Sequence, residues 1–238
     1  LASIGANAIR LRRTGDNAEQ DFVTVAGGGL DLAAITTFKG AASLFVVTLY
    51  DQTGNGRHLV TAGGSNQPAF TLAGIGGTLP IITFDGTDDF FATSGTIAAT
   101  PGATSSAFFK PPTSAQGGLF VINSGSDYQF MVYGDPDVAL YAGASISGTA
   151  AAGSWHAVQG VYGTSTSNSD MNVNGTAHTG NIYSGSPISV TGVVNVGRLP
   201  NDTQKYEGDL TEVGYWQSAF SSGQSSSMSS NQHAYWGF

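Results

Sequence analysis

Cysteine is absent from the 238 residues. That excludes a disulfide framework, a thiolate nucleophile and any Cys-ligated zinc or iron–sulfur site. Charge is scarce. Charged residues make up 10% of the chain, against about 25% in an ordinary domain. The eight Lys and Arg are outnumbered by sixteen Asp and Glu, for a net charge of −8. No basic stripe exists to follow a phosphate backbone, so nucleic acid is not an expected partner. No apolar run approaches the ~18–20 residues of a membrane helix, so membrane insertion is not expected either. Leu1–Arg13 lacks the apolar core and cleavage pattern of a signal peptide. Glutamate is the rarest acid: Glu19, Glu207 and Glu212 are the only three.

Gly, Ser, Thr and Ala fill the space that charge leaves. Helix surfaces draw on Glu, Lys, Gln and Arg, and their shortage argues against a mainly helical protein. Hydrophobic residues still reach 40%, enough to build a core. Short β-branched and aromatic runs, each closed by Gly, Asn, Asp or Pro, read as strands. Ala8–Arg12 and Asp21–Val25 open the series, and Leu44–Tyr50, apolar apart from Thr48, is expected to be buried on both faces. Pro80–Phe84, Phe90–Ala92, Phe108–Lys110, Gly118–Asn123, Tyr128–Tyr133, Val138–Ala142 and Trp155–Tyr162 follow. Asp170–Val173 leads into Asn174-Gly175, the dipeptide of a type I′ hairpin. Val193–Val196, Tyr206–Leu210 and Thr211–Trp216 complete the series. Asp85-Gly86 reads as a second hairpin turn. Leu30–Phe38 reads as a helix with Leu30, Ala33, Ala34 and Thr37 on one side, and Ser222–Tyr235 as another. Strands every 8–15 residues without alternating helices predict an all-β antiparallel sandwich or jelly roll in a single domain over residues 1–238.

Two groups of motifs carry a resemblance. The first is Tyr50-Asp-Gln-Thr-Gly-Asn-Gly-Arg57, then Gln67-Pro68 and Ile82–Phe91. The second is Trp155-His-Ala-Val-Gln-Gly-Val-Tyr162, Met171–Gly175, Asn195-Val-Gly-Arg198 and Tyr206–Val213. In this order they resemble the concanavalin A-like lectin/glucanase (laminin-G-like) jelly roll. The first group is similar to the arabinofuranosidase B catalytic-domain family. Ile9–Asp21 and the tail Asn231–Gly237 resemble the ends of phage tail and virion proteins with the same domain.

The resemblance implies a binding or structural module of a bacteriophage virion: a tail-fibre, receptor-binding or capsid-decoration domain. Its partners would be cell-surface glycans or neighbouring virion proteins, with a homo-oligomer as a further expectation. The hydrolase alternative needs two acids. The family's nucleophile position falls where this chain offers only Asp135 and Asp137, and the acid position falls nearest Asp202. The family's vicinal cysteine pair has no counterpart here, which favours a non-catalytic module. Tyr128, Tyr133 and Tyr141, with Asp202, are the candidate ligand-binding residues, and Tyr183 is a further stacking candidate. Asp85, Asp88 and Asp89 form the densest acidic cluster and offer hard oxygen ligands for calcium. Asp127, Asp135 and Asp137 form a sparser one. An extracellular, calcium-dependent sugar-binding adhesin module is the remaining alternative. The histidines His58, His156, His178 and His233 lack zinc-ligand spacing. Arg10, Arg12 and Arg13 are expected to pair with Asp16, Glu19 or Asp21.

Overall fold

A computed structural model describes residues 4–112, 117–123, 128–133, 137–199 and 204–237. The strands run β1 (Asn7–Arg13), β2 (Glu19–Val23), β3 (Leu44–Leu49), β4 (Leu59–Val60), β5 (Ala69–Ile75), β6 (Leu79–Asp85), β7 (Phe91–Ala99) and β8 (Thr104–Lys110). They continue with β9 (Gly117–Asn123), β10 (Tyr128–Tyr133), β11 (Asp137–Tyr141), β12 (Ser145–Thr149), β13 (His156–Val161), β14 (Ser169–Val173), β15 (Thr176–Gly180), β16 (Val190–Val196) and β17 (Glu207–Trp216). Two α-helices are present among the described residues, α1 (Leu32–Lys39) and α2 (Ser222–Trp236).

The strand pairings resolve into two antiparallel sheets that share a fork. One sheet runs β5-β6-β17-β8-β13-β14-β15. The other runs β4-β7-β16-β9-β10-β11-β12. β3 feeds both. Its first residues, Leu44 and Phe45, pair with β5, while Thr48 and Leu49 pair with β4. β1 and β2 extend from the other side of β3. Between the sheets lies the main core, with Leu11, Val46, Phe84, Phe91, Phe109, Leu140, Val158, Tyr162 and Tyr206 almost fully enclosed. The jelly-roll sandwich expected from strand spacing is the observed fold class.

Several details depart from the sequence reading. β3 alternates: Leu44, Val46 and Thr48 are buried, and Phe45, Val47 and Leu49 only half so. At the fork its second face has partial cover, part of it from the Arg12 guanidinium 5.1 Å above the Phe45 ring. Asp85-Gly86 is not a hairpin turn. β6 pairs with β5 and β17, and β7 with β16 and β4, so the turn carries the chain from one sheet to the other. α1 buries Ile35 and Phe38 rather than its Leu30–Thr37 side. Tyr206–Leu210 and Thr211–Trp216 are one strand, β17, with a bulge between Leu210 and Glu212. The Asn174-Gly175 hairpin is as expected, with both residues at positive φ, 51° and 87°.

The arginines pair as their spacing suggests, with one exception. Arg10 holds Asp21 at 2.7 Å and Arg13 holds Asp16 at 2.6 Å. Arg12 instead donates to Gln67 and Asn17.

Candidate binding cleft

β17 has two neighbours over its first half and one over its second. Glu207–Leu210 pair with β6, Asp209 and Leu210 also with β8, while the strand from Glu212 to Trp216 pairs only with β8. Beside this free edge, at the fork of the two sheets, opens a cleft of about 720 Å³. Its second wall is the Tyr50–Arg57 turn and its floor includes Thr93, Phe120 and Val194. Met228 and Gln232 of α2 close one end.

The turn wall is rigid for reasons visible in its sequence. Gly54 and Gly56 take positive φ, 82° and 69°, where a side chain would be strained. Asp51 accepts from the Thr53 amide at 2.8 Å, the Thr53 hydroxyl at 2.6 Å and the Arg57 amide at 3.0 Å. Burial pushes the Asp51 carboxyl up, but these bonds outweigh it and hold the group below its ordinary pKa. Asp51 is therefore an ionised turn anchor. Tyr50, half-buried, donates its hydroxyl to Asp21 at 2.7 Å.

On the β17 side, alternate residues face opposite ways. Tyr215 stacks on Phe120 with centroids 5.4 Å apart and planes 11° from parallel. Burial raises its hydroxyl to about 12, partly offset by the Arg57 charge. Glu212 and Trp216 face the other way, with Gly214 between them. Glu212 is exposed, and its Oε2 accepts from Gln232 Nε2 at 3.0 Å and Trp236 Nε1 at 3.3 Å.

The residues singled out in the sequence fall elsewhere. Asp127, Asp135 and Asp202 lie outside the described residues. Tyr128 and Tyr133 sit at the ends of β10, paired in register with Ile122 and Asp137. Tyr141 and Asp137 share one side of β11 by alternation, and Tyr141 packs half-buried against Val121 and Leu199. Tyr183 is no surface stacker. It is 1% exposed and its hydroxyl donates to the Gly163 carbonyl at 2.9 Å.

Asp85, Asp88 and Asp89 do come together, with ligand oxygens within 4.8 Å of one another. Two of those carboxylates already serve the crossover turn. Asp85 Oδ1 accepts from the Thr87 amide and Asp89 Oδ2 from the Asp85 amide. His156 is buried and bonds the Ala151 carbonyl at 2.9 Å and Asn174 at 2.8 Å, a structural role in which burial lowers its pKa.

Sequence reasoning missed the cleft. Its two walls are about 160 residues apart in the chain, and each was readable only as a turn or a strand. The Tyr-Asp-Gln-Thr-Gly-Asn-Gly-Arg motif at residues 50–57 was the one available signal.

Comparison with known proteins agrees with this architecture. A GH54 α-L-arabinofuranosidase soaked with 4-nitrophenyl α-L-arabinofuranoside matches with a TM-score of 0.75 at 14% identity. The alignment covers 97% of this chain but 60% of that one, so this chain spans under two thirds of that enzyme's length. Domain 4 of AbnA, a GH43 extracellular arabinanase from Geobacillus stearothermophilus in complex with arabinotriose, matches at 0.51 and 12% identity, over 70% of this chain and 82% of that one. The botulinum neurotoxin serotype D ligand-binding domain in complex with N-acetylneuraminic acid matches at 0.57 and 10% identity, over 96% and 52%. At these identities the likeness is one of fold. No curated protein matches by sequence. The family profile described as the concanavalin A-like lectin/glucanases superfamily matches residues 84–224, more than half of the chain, and the protein belongs to that superfamily.

Proposed function

We propose that this protein is a non-catalytic glycan-binding domain, carried on a virion, with the cleft beside β17 as its binding site. The lining of the cleft carries the reading. Half-buried Tyr50, Tyr215 and Trp216 stand beside Gln52, Asn55, Arg57, Glu212 and Gln217. Sugars need flat apolar faces for their C–H surfaces and polar side chains for their hydroxyls. The volume falls in the roughly 300–1,000 Å³ range of small-ligand sites. Hydrolysis asks for two carboxyl groups free to exchange protons across a glycosidic bond. Among the described residues, both carboxylates that line this cleft are instead engaged, Asp51 by three donors and Glu212 by two. Sugar complexes of two structural neighbours support a glycan ligand. The virion setting is supported by the resemblance of Ile9–Asp21 and Asn231–Gly237 to virion-protein ends.

A glycan array probed with the folded protein, run beside a 4-nitrophenyl α-L-arabinofuranoside assay, tests the binding reading. Glycan binding without nitrophenol release is the expected result. Release that disappears in Asp202→Asn would replace it with a hydrolase reading, and an array without signal would remove glycan binding. Antibody labelling of purified phage particles tests the virion placement, and bare particles would overturn it.

A further inference from the structure

We propose that Glu212 is the ligand-anchoring carboxylate of the cleft and that it selects neutral, hydroxyl-rich glycans over anionic ones. This rests on the glycan-binding reading above. An exposed glutamate normally samples many rotamers, and freezing it costs entropy. Glu212 is exposed and nevertheless fixed. Its two donors, Gln232 and Trp236, are only 4% and 7% exposed. Gln232 is itself held, because its Oε1 accepts from Gln159 Nε2 at 2.8 Å. Gln159 is fully enclosed on β13. A line of amides thus runs from the middle of the sheet out to one carboxylate at the cleft wall.

That line has a direction. Gln159 Oε1 is buried and has no hydrogen-bond partner. Reversing both amides would let Gln232 Nε2 donate to Gln159 Oε1, but it would put Gln159 Nε2 in the unpartnered place instead. Gln232 would then turn a carbonyl toward Glu212 and lose the carboxylate. The observed direction keeps Glu212 supplied with donors and leaves the inner oxygen unsatisfied.

The surroundings of Glu212 fit a sugar. Gly214 has no side chain, and a Cβ there would strike the Trp216 ring at 2.5 Å. The indole therefore lies back over the strand toward Glu212. A flat ring beside a fixed acceptor matches a sugar with its C–H face stacked and two neighbouring hydroxyls donated. Charge decides the class. Among the described residues the cleft holds Asp51 and Glu212 against Arg57 alone, in a chain of net charge −8. A sialic or uronic acid would bring a third carboxylate against these two.

A glycan array carrying neutral oligosaccharides, arabinotriose among them, and sialylated ones tests the proposal with the wild type, Glu212→Gln and Glu212→Asp. Melting temperatures are measured alongside. Signals on neutral glycans are expected for the wild type. Glu212→Gln can still accept from Gln232 and Trp236, so its melting temperature should hold while binding falls by at least about tenfold. Glu212→Asp keeps the charge but is one methylene too short to keep its position, and it should also bind weakly. Neutral-glycan binding unchanged in both variants, or a preference for sialylated glycans, overturns the proposal and leaves glycan binding standing. A wild type that binds no glycan removes the glycan-binding reading itself.

Discussion

Asp89 is 5% exposed and accepts from the Asp85 amide, with the carboxylates of Asp85 and Asp88 beside it. Burial raises its pKa from 3.8 to about 6; the backbone bond opposes the rise and the two neighbouring charges add to it. Between those values the folded protein keeps a proton that the unfolded chain releases. This contribution to stability is therefore full below about pH 4, falls as pH rises to about 6 and is flat above, a loss on the order of 2–3 kcal/mol. Asp21 and Asp51 run the other way, because their lowered pKa values contribute stability that is lost in acid. The difference between wild type and Asp89→Asn isolates Asp89. Urea melts from pH 4 to pH 7 should show equal stabilities at pH 4 and a more stable Asp89→Asn at pH 7. A pH-independent difference would sink this account. A divalent cation at the cluster favours the ionised form, so bound calcium would erase the slope in the wild type alone. The acidic cluster was legible because its members are neighbours in the chain. Glu212 was not, since its donors Gln232 and Trp236 lie 20 and 24 residues further on, and its motif, Tyr206–Val213, spoke only for a fold.

α2 shows how an element can be placed by its caps while its packing stays hidden. Ser221 and Gln224 form a reciprocal capping box, and Gly237 ends the helix at φ 81°. Those signals are in the sequence. The buried stripe is Ser225, Ser229, Gln232 and Trp236, which has helical spacing but almost no apolar character. It lies on β13 and β14, where Gln159 is itself polar. A hydrophobic-periodicity reading has nothing to detect. The helix is held by side-chain amide hydrogen bonds and by one indole stacked on Phe108, with centroids 5.9 Å apart and planes 12° from parallel. Trp236→Ala should therefore cost about 3 kcal/mol, and Gln232→Ala about 1–3 kcal/mol by stranding the Gln159 amide. Exposed Ser226→Ala should be neutral or slightly stabilising. Denaturant titrations rank the three, and a Trp236→Ala protein as stable as wild type would show that α2 is held otherwise. The strands missed in sequence, β4, β5, β12 and β15, fail for the opposite reason. β4 has two residues, and the others are rich in Gly, Ala, Ser and Thr, so strand pairing rather than side-chain pattern defines them.

The two sheets cannot be cut into an N-terminal and a C-terminal half. β6 and β7 belong to the first hundred residues, yet their partners β17 and β16 come from the last fifty. β8 lies between β13 and β17, and the core joins Leu11 and Val46 to Val158 and Tyr206. A fragment ending near Gly95–Thr104 would leave β6 and β7 with open edges and one face of the core bare. We therefore expect one cooperative unfolding transition for residues 1–238, with calorimetric and van't Hoff enthalpies in agreement. The cleft sharpens the expectation, because Tyr50–Arg57 forms one wall and the second half of β17 the other. A glycan bound there touches segments from both halves of the chain and stabilises only the intact fold, so saturating ligand should move the whole transition upward together. Two resolved transitions, of which ligand shifts only one, would show that the halves fold apart. Protected amides in an isolated 1–100 fragment would show the same.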